Sequence, residues 1–371
     1  MPLRTLQVVN VRWFNATAWY GIALARLLRQ AGHESLVVGL EGTESFAKAQ
    51  SLGLDPVALP LNTTNPLAMP ALLADMARLV KRFRPHVVNC HRGEGFLFWG
   101  ALKTWGNYAL VRTRGDQRLP KGNLPNRLLH CHVADGVVAT NSVMARHFVQ
   151  RMGVPAKRVH TILGGVDTGT FRASASGRAA VRAAYGWDDS HFVVGLLGRF
   201  DRVKGQKELI DAVALLRAQG DTSIRLMLAG FATATSQEEV EGWIREAGIG
   251  DITVITGKHP DVTACIAAMD LGVVASLWSE TIARAALEIM ACGVPLVSTT
   301  VGVMPDLMPV DAMVEPADVA GLARLIGTYR ADPLRLATLR NACKARIATL
   351  RDEDFVSQTL ALYRSVLPAQ G

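Results

Sequence analysis

Short apolar runs alternate with stretches whose apolar residues recur every three to four positions, along the whole chain. Such alternation of doubly buried strands with amphipathic helices is the mark of parallel α/β sheets. In the first half it predicts strands at Leu6–Val11, Ser35–Gly39, His86–Cys90, Tyr108–Thr113, Gly136–Thr140 and His160–Leu163. Helices are predicted at Trp19–Ala31, Ala68–Phe83, Asn123–Ala134 and Ser142–Met152. Gly164-Gly165-Val166-Asp167 is a turn-rich break suited to a hinge. The rhythm then restarts, with strands at Phe192–Leu197, Ile224–Ala229, Ile252–Thr256, Leu271–Ala275 and Pro295–Ser298. Helices fall at Lys207–Ala218, Glu238–Ala247, Val262–Met269, Thr281–Ala291, Val319–Tyr329, Pro333–Leu350 and Asp354–Leu367. The reading is α/β: two Rossmann-like parallel-sheet domains, 1–168 and 169–350, followed by a terminal helical segment, 351–371. A ligand is expected at the carboxyl ends of both sets of strands, in the cleft between the domains.

Composition narrows this picture. At 371 residues the chain exceeds what one core usually holds. A hydrophobic fraction of 49% with 19% charged residues describes a well-filled globular interior. No apolar run reaches the roughly 18 residues that span a bilayer. The start, Met-Pro-Leu-Arg-Thr-Leu, runs straight into a strand pattern without signal-peptide organisation. The five scattered cysteines, with no Cys-x-x-Cys, read as reduced thiols of a cytoplasmic protein. Charge is uneven: residues 1–168 carry 20 Lys+Arg against 9 Asp+Glu, and 169–371 carry 20 against 23. The basic half suits an anionic partner or a solubility role; no nucleic-acid recognition motif accompanies it.

Two loops carry candidate chemistry. Gly198-Arg199-Phe200-Asp201-Arg202-Val203-Lys204-Gly205 follows a buried-type strand and precedes a helix. Its glycines leave the backbone bare, and Arg199 and Lys204 offer two cations to a diphosphate. Neither a Walker A loop nor a Gly-x-Gly-x-x-Gly after the first strand is present. Glu280 and Glu288 lie in Ser276–Pro295, at the start of an apolar helix that stops at Gly-Val-Pro. On a continuous helix they stand roughly 12 Å apart, too far to share one metal but suited to two ends of a long ligand. Taken alone, the pair fits a helix-dipole carboxylate plus a partly buried ion-paired Glu equally well. The amides of Thr281, Ile282 and Ala283 are expected to point from the helix N-terminus at a phosphate, with Arg284 either adding a cation or standing as a solvated surface residue.

The order Gly-Arg…Lys-Gly, Gly257 after a strand, Ser-x-x-x-Glu, seven residues, Glu and then Ala-Cys-Gly-Val-Pro resembles the group 1 (family 4) retaining glycosyltransferases of the GT-B fold. The resemblance is strongest over 193–300; Ala-Gly-His-Glu at 31–34 and Leu163–Phe171 extend it to the family's first helix and hinge. It implies two domains facing a cleft and a C-terminal helix packing back toward the first. It implies that Arg199 and Lys204 neutralise the donor diphosphate, Glu288 binds the ribose, Glu280 holds sugar hydroxyls, and the 281–283 amides lie against sugar and phosphate. Lys258 and His259 stand where the family contacts the base, and His91 matches a His that faces the sugar. His91, Glu280, Arg199 and Lys204 are thus the expected catalytic set. Three departures are evident: Glu280-Thr281-Ile282-Ala283 replaces the usual Glu-Gly-Phe-Gly, Arg12–Tyr20 lacks the usual glycines, and Asn89-Cys90-His91 replaces His-x-His.

On the acceptor side, the basic loop from Val111 to Asn123 is expected to meet a phosphorylated or carboxylated acceptor through Arg112 and Arg114, with Asp116 orienting a hydroxyl or pairing with Arg114. Asn15 and Thr17 supply hydrogen bonds from the first βα loop. Trp13, Trp19, Phe96, Phe98, Trp99 and Trp105 are read as core or as sugar-stacking and membrane-surface residues. The expected activity is metal- and cofactor-independent retaining transfer of a hexose or heptose from a nucleotide-diphosphate sugar to an anionic glycan or glycolipid, such as a lipopolysaccharide core, at the inner face of the cytoplasmic membrane. A nucleotide-sugar isomerase of the same architecture and a catalytically silent sugar-nucleotide-binding subunit are the competing readings.

Overall fold

The computed structural model describes residues 1–116 and 118–367; Gln117 of the basic loop and the last four positions of the 351–371 segment lie outside the described residues. The chain forms two compact units, Met1–Gly164 joined by the segment from Asp352 onward, and Gly165–Arg351.

The first unit is built on a seven-stranded sheet of β1 (Arg4–Val9), β2 (Glu34–Gly39), β3 (Val57–Ala58), β4 (Val87–Cys90), β5 (Ala109–Arg114), β6 (Gly136–Ala139) and β7 (Val159–Thr161). The spatial order is β3-β2-β1-β4-β5-β6-β7, and every pairing is parallel. Central strands such as β4 and β6 are buried throughout, which is why they read as unbroken apolar runs. The helix Ala16–Gln30 starts where the Asn15 side chain accepts from the Ala18 amide, and it buries ten residues. The terminal helix Asp352–Ser365 belongs to this unit; Phe355, Val356, Thr359, Leu360, Leu362 and Tyr363 form its buried face. Phe355 meets the Tyr20 ring edge-on at 4.7 Å. Each such apolar side chain removed from water contributes about 1.5–3 kcal/mol, so the segment is firmly docked.

The second unit holds β8 (Phe192–Leu197), β9 (Ile224–Ala229), β10 (Thr253–Ile255), β11 (Leu271–Val274), β12 (Leu296–Thr299) and β13 (Met313–Val314), in the order β10-β9-β8-β11-β12-β13, again all parallel. The two-sheet α/β architecture is therefore as expected. Several elements differ from the periodicity reading, among them the two-residue edge strands β3 and β13. Helices Glu44–Ser51, Phe96–Gly106 and Ala175–Ala184 lie in segments without an assigned element. The Phe96 helix hides its period because Phe-Leu-Phe-Trp is apolar on every face. Asn123–Ala134 is one turn-and-a-half of α-helix, Leu124–Leu128, running into a widened turn over Leu129–Val133.

Candidate functional site

In the second unit the chain winds from β8 outward to β10, then returns to start β11 on the other side of β8. That reversal opens a crevice at the carboxyl ends of β8 and β11, the place where open α/β sheets bind ligands. Two loops border it and are stitched together. Gly205 has φ +72°, and a Cβ there would lie 2.0 Å from the Ala275 carbonyl oxygen, so only glycine permits this approach. The Leu277 amide donates to the Val203 carbonyl at 2.9 Å. Across this seam Lys204 Nζ meets Glu280 Oε2 at 2.8 Å, and Ser276 Oγ donates to the same oxygen at 2.6 Å. The backbone of Glu280 is fixed as well: Val303 donates to its carbonyl at 2.8 Å, and Gly302, at φ +64°, leaves no room for a Cβ. Glu280 is thus a buried carboxylate, paired and aimed by three neighbours. Arg199 is half exposed and pairs with Asp201 at 2.7 Å. A pair so exposed contributes about 0–1 kcal/mol, so Arg199 can be redirected to a phosphate at little cost.

The segment after Glu280 departs from expectation. The helix begins at Arg284, not Thr281, because Ala283 adopts the left-handed conformation with φ 53°. Glu280 therefore precedes the helix, and the spacing derived from a continuous helix does not apply. Ile282 and Ala283 are buried in the turn. Arg284 Nη2 bonds Glu288 Oε1 at 2.8 Å one turn on, which commits this cation to a carboxylate. Burial pushes the Glu288 carboxyl above its ordinary range, and Arg284 partly offsets the rise.

Beside this seam lies a pocket of about 300 Å³ lined by Gly198, Arg199, Phe231, Thr256, Lys258 and His259 among others. Lys258 Nζ sits 4.7 Å from the Phe231 ring centroid, and the Asp261 amide donates to His259 Nδ1 at 3.1 Å. Flat aromatic and backbone surfaces with cations at the rim suit a heteroaromatic ring attached to phosphates. Phe231 escaped the sequence reading; its signal was its place one residue beyond Gly230 at the end of β9.

In the first unit the winding reverses between β1 and β4. The loops leaving those two strands, with the loop after β3, line a pocket of about 600 Å³ that includes Asn10, Arg12, Trp13, Asn62, Thr63, Thr64, Arg92 and Glu94. Asn10 is buried and donates to Asn62 Oδ1, while its own Oδ1 has no protein partner. Arg92 is held by Glu94 at 2.7 Å, with Asp116 3.7 Å away. Most of these residues were missed, although Asn62-Thr63-Thr64-Asn65 between two prolines was a visible polar cluster.

Among the described residues, Asn15 is the only expected acceptor residue that lines this pocket, and its side chain caps the first helix. Thr17 is buried and donates to the Gly115 carbonyl at 3.2 Å. Arg112 is not on the surface of its loop: it is fully buried, donates to the Cys90 and Thr113 carbonyls, and burial pushes its pKa down to about 9. Arg114 pairs with Asp116 at 3.3 Å and donates to the Arg118 carbonyl. The inner cations of this stretch are therefore held by the Cys90, Thr113 and Arg118 carbonyls and by Asp116. His91, following β4, is wholly buried, with Nε2 3.0 Å from Gln7 Oε1; burial first, then the Arg112 charge, pushes its pKa down to about 3. Phe96 and Trp99 are core, whereas Trp13 and Trp105 are exposed. Among the described residues no three His, Cys, Asp or Glu side chains gather as a metal site.

Comparison with known proteins bears on the family and the fold. Residues 18–170 match the model for glycosyltransferase family 4, and residues 191–332 match that for glycosyl transferases group 1. The chain belongs to the group 1, family 4 glycosyltransferases. One relative of the family, D-inositol 3-phosphate glycosyltransferase 1 of Catenulispora acidiphila, is 31% identical over 68% of this chain and 62% of its own length. The lipopolysaccharide core biosynthesis mannosyltransferase LpsB of Rhizobium meliloti is 31% identical over 47% of this chain and 48% of its own. The chain thus spans about half to three-fifths of the length of these curated relatives. Among solved structures, HepE of Anabaena in complex with UDP superposes with a TM-score of 0.84 at 21% identity, covering 98% of this chain and 100% of that one. The fold is GT-B.

Proposed function

We propose that the chain is a retaining glycosyltransferase that moves a hexose or heptose from a nucleotide-diphosphate sugar, without a metal or other cofactor, to a hydroxylated acceptor carrying negative charge. The observation that carries this reading is the Lys204–Glu280 pair across the β8/β11 seam with Arg199 beside it. The base enters the pocket beneath Phe231 and Lys258, the ribose is held by Glu288, and Arg199 and Lys204 face the diphosphate. Backbone amides of Thr281, Ile282 and Ala283 add donors, and Glu280 accepts from sugar hydroxyls. As the bond from the sugar's anomeric carbon to the diphosphate breaks, the two cations stabilise charge on the leaving oxygen. The acceptor oxygen forms the new bond and its proton passes to the departing phosphate. HepE, with UDP in its crystal structure, supports a nucleotide donor.

The acceptor is assigned to the first-unit pocket. Amides and hydroxyls at Asn10, Asn62, Thr63 and Thr64 match a polyol ring, and Arg12 supplies the anion contact. The names of the two curated relatives, one an inositol phosphate enzyme and one a lipopolysaccharide core enzyme, support a hydroxyl-rich anionic acceptor. Exposed Leu97 and Trp105, in a half of the chain rich in cations, support peripheral contact with the cytoplasmic face of an anionic membrane. Among the described residues no helix is long and apolar enough to cross one.

A thermal-shift panel of UDP-, GDP- and ADP-sugars identifies the donor, because bound ligand raises stability by mass action. With that donor, nucleotide diphosphate is expected to appear at appreciable rate only when an acceptor is present. Release of no diphosphate while the sugar changes configuration or connectivity would establish the isomerase instead. Binding without any turnover or slow hydrolysis would establish a silent subunit.

A further inference from the structure

The second sheet has a pocket at its other edge as well. It lies at the amino ends of β11 and β12, away from the donor seam, and measures about 300 Å³. Pockets of roughly 300–1,000 Å³ are the usual size for small-molecule sites. Ala267, Met269, Val294 and Pro295 give it buried apolar walls. Three charged side chains join them: Arg178, Asp270 and Arg340. The first two answer each other. Arg178 Nη2 meets Asp270 Oδ1 at 2.7 Å, and its Nη1 donates to the Met269 carbonyl at 3.1 Å. Asp270 also pairs with Arg182 and accepts from the Val193 amide at 2.8 Å.

Arg340 is different. It belongs to helix Pro333–Ile347, which carries four cations and no carboxylate. Arg335 of that helix faces Asp311 at 3.6 Å, and Arg346 donates to Thr349 Oγ1 at 3.4 Å. Lys344 lies in the last turn, where the helix dipole favours a cation. Among the described residues, no carboxylate or carbonyl oxygen meets the Arg340 guanidinium, although the side chain is half-buried. A partly desolvated donor set without an acceptor is unfavourable. Lys344, four positions on, stands over the same helix face, so the two cations repel. Lys344 also runs along the pocket: a Cβ added at Gly293, which lines it, would meet Lys344 Cε at 3.8 Å.

We infer that this pocket binds a small carboxylate with an apolar body, its head group held by Arg340 and its body against Met269, Val294 and Pro295. The guanidinium fork offers two parallel N–H donors that match a carboxylate, and Lys344 adds positive field beside it. The walls then bury the apolar body. A phosphate ester fits less well, because its further oxygens would face apolar walls without donors. The site is separate from the glycosyltransferase reading: its occupancy needs neither donor nor acceptor and is measured without turnover.

The test is a ligand-observed NMR titration of the full chain, with benzoate as the probe and benzamide as its neutral isostere. Benzoate is expected to bind saturably with Kd on the order of 1 mM, and benzamide about tenfold more weakly. Arg340→Gln should weaken benzoate about tenfold and leave benzamide unchanged. The same variant should match or exceed the wild-type melting temperature, since a repulsion is removed. Ala173→Trp, at an exposed position on the pocket, fills the space and should block both probes. Arg199→Ala, at the donor pocket, should leave the benzoate titration unchanged. Equal benzoate affinity in wild type and Arg340→Gln, equal affinity for benzoate and benzamide, or no saturable binding up to roughly 20 mM would overturn the inference. So would benzoate binding that survives Ala173→Trp or is lost in Arg199→Ala. Inorganic phosphate that displaces benzoate at lower concentration than benzoate itself needs would overturn the ligand class.

Discussion

The two units solve the same topological problem with opposite chemistry. Each sheet reverses its winding once, between β1 and β4 in the first and between β8 and β11 in the second, and each reversal opens a pocket at the carboxyl ends of its strands. At the second seam the contacts are ionic and anchored by backbone: Lys204 meets Glu280 over loops that Gly205 and Gly302 allow to touch. At the first seam amides and hydroxyls dominate, and the cation Arg92 is already balanced by Glu94. A preorganised charge pair suits a diphosphate whose charge grows as its bond breaks. An array rich in amides and hydroxyls, with Arg12 at its edge, suits hydroxyl groups that need geometry more than charge. The difference teaches that similar parallel sheets are specialised by the residues one to eight positions beyond two strands.

The strongest way to break the comparison is at Lys204. Lys204→Ala leaves Glu280 buried without its cation, an arrangement that costs about 3–5 kcal/mol when a buried pair is broken. We expect a sharply lowered midpoint in urea and turnover reduced by at least about a hundredfold; near-normal turnover in both Lys204→Ala and Glu280→Ala would discard the donor assignment. Next comes protonation of the first unit. The His91 pKa is pushed down to about 3 in the fold from an ordinary 6.5, so the unfolded chain binds the extra proton between those values. Stability is therefore complete above pH 6.5 and is lost as pH falls toward 3. Acid unfolding followed by tryptophan fluorescence should begin at lower pH in His91→Leu than in the wild type.

A smaller and opposite effect is expected at Glu288, whose carboxyl is pushed up by burial. A raised carboxyl contributes stability below its ordinary pKa and loses it as pH rises through the folded value. Glu288→Gln should therefore match or exceed wild-type melting temperature at pH 8 while weakening nucleotide binding, measured by calorimetry. The smallest change is at Ala283. Its left-handed backbone costs about 1 kcal/mol that glycine does not pay, so Ala283→Gly should raise the melting temperature by a few degrees. If it also leaves donor KM unchanged, the turn itself, and not the residue in it, sets the sugar end of the site.

These expectations also mark what could be read in advance. Strands such as Phe192–Leu197 and Ile224–Ala229 stood out because burial on both faces makes an apolar run with sharp ends. Arg199, Lys204 and Glu280 stood out only together, because the order of two loops after such strands, and not either loop alone, carried the family resemblance. Helix Phe96–Gly106 did not, since its apolar residues circle the axis. The start of the helix at Arg284 did not, because a left-handed alanine has no composition signal. Arg112 and Arg114 misled, as a charge in sequence does not reveal whether it faces solvent or its own carbonyls.

By itself, then, the sequence determined the two-sheet plan and the residue types in the loops after β8 and β11, because periodicity and strand-end chemistry are local properties. Which charges meet was decided only by tertiary structure. Lys204 and Glu280 are 76 positions apart and Gln7 and Tyr363 are 356 apart; their contacts exist because parallel sheets bring the ends of distant strands, and the terminal helix, to one edge.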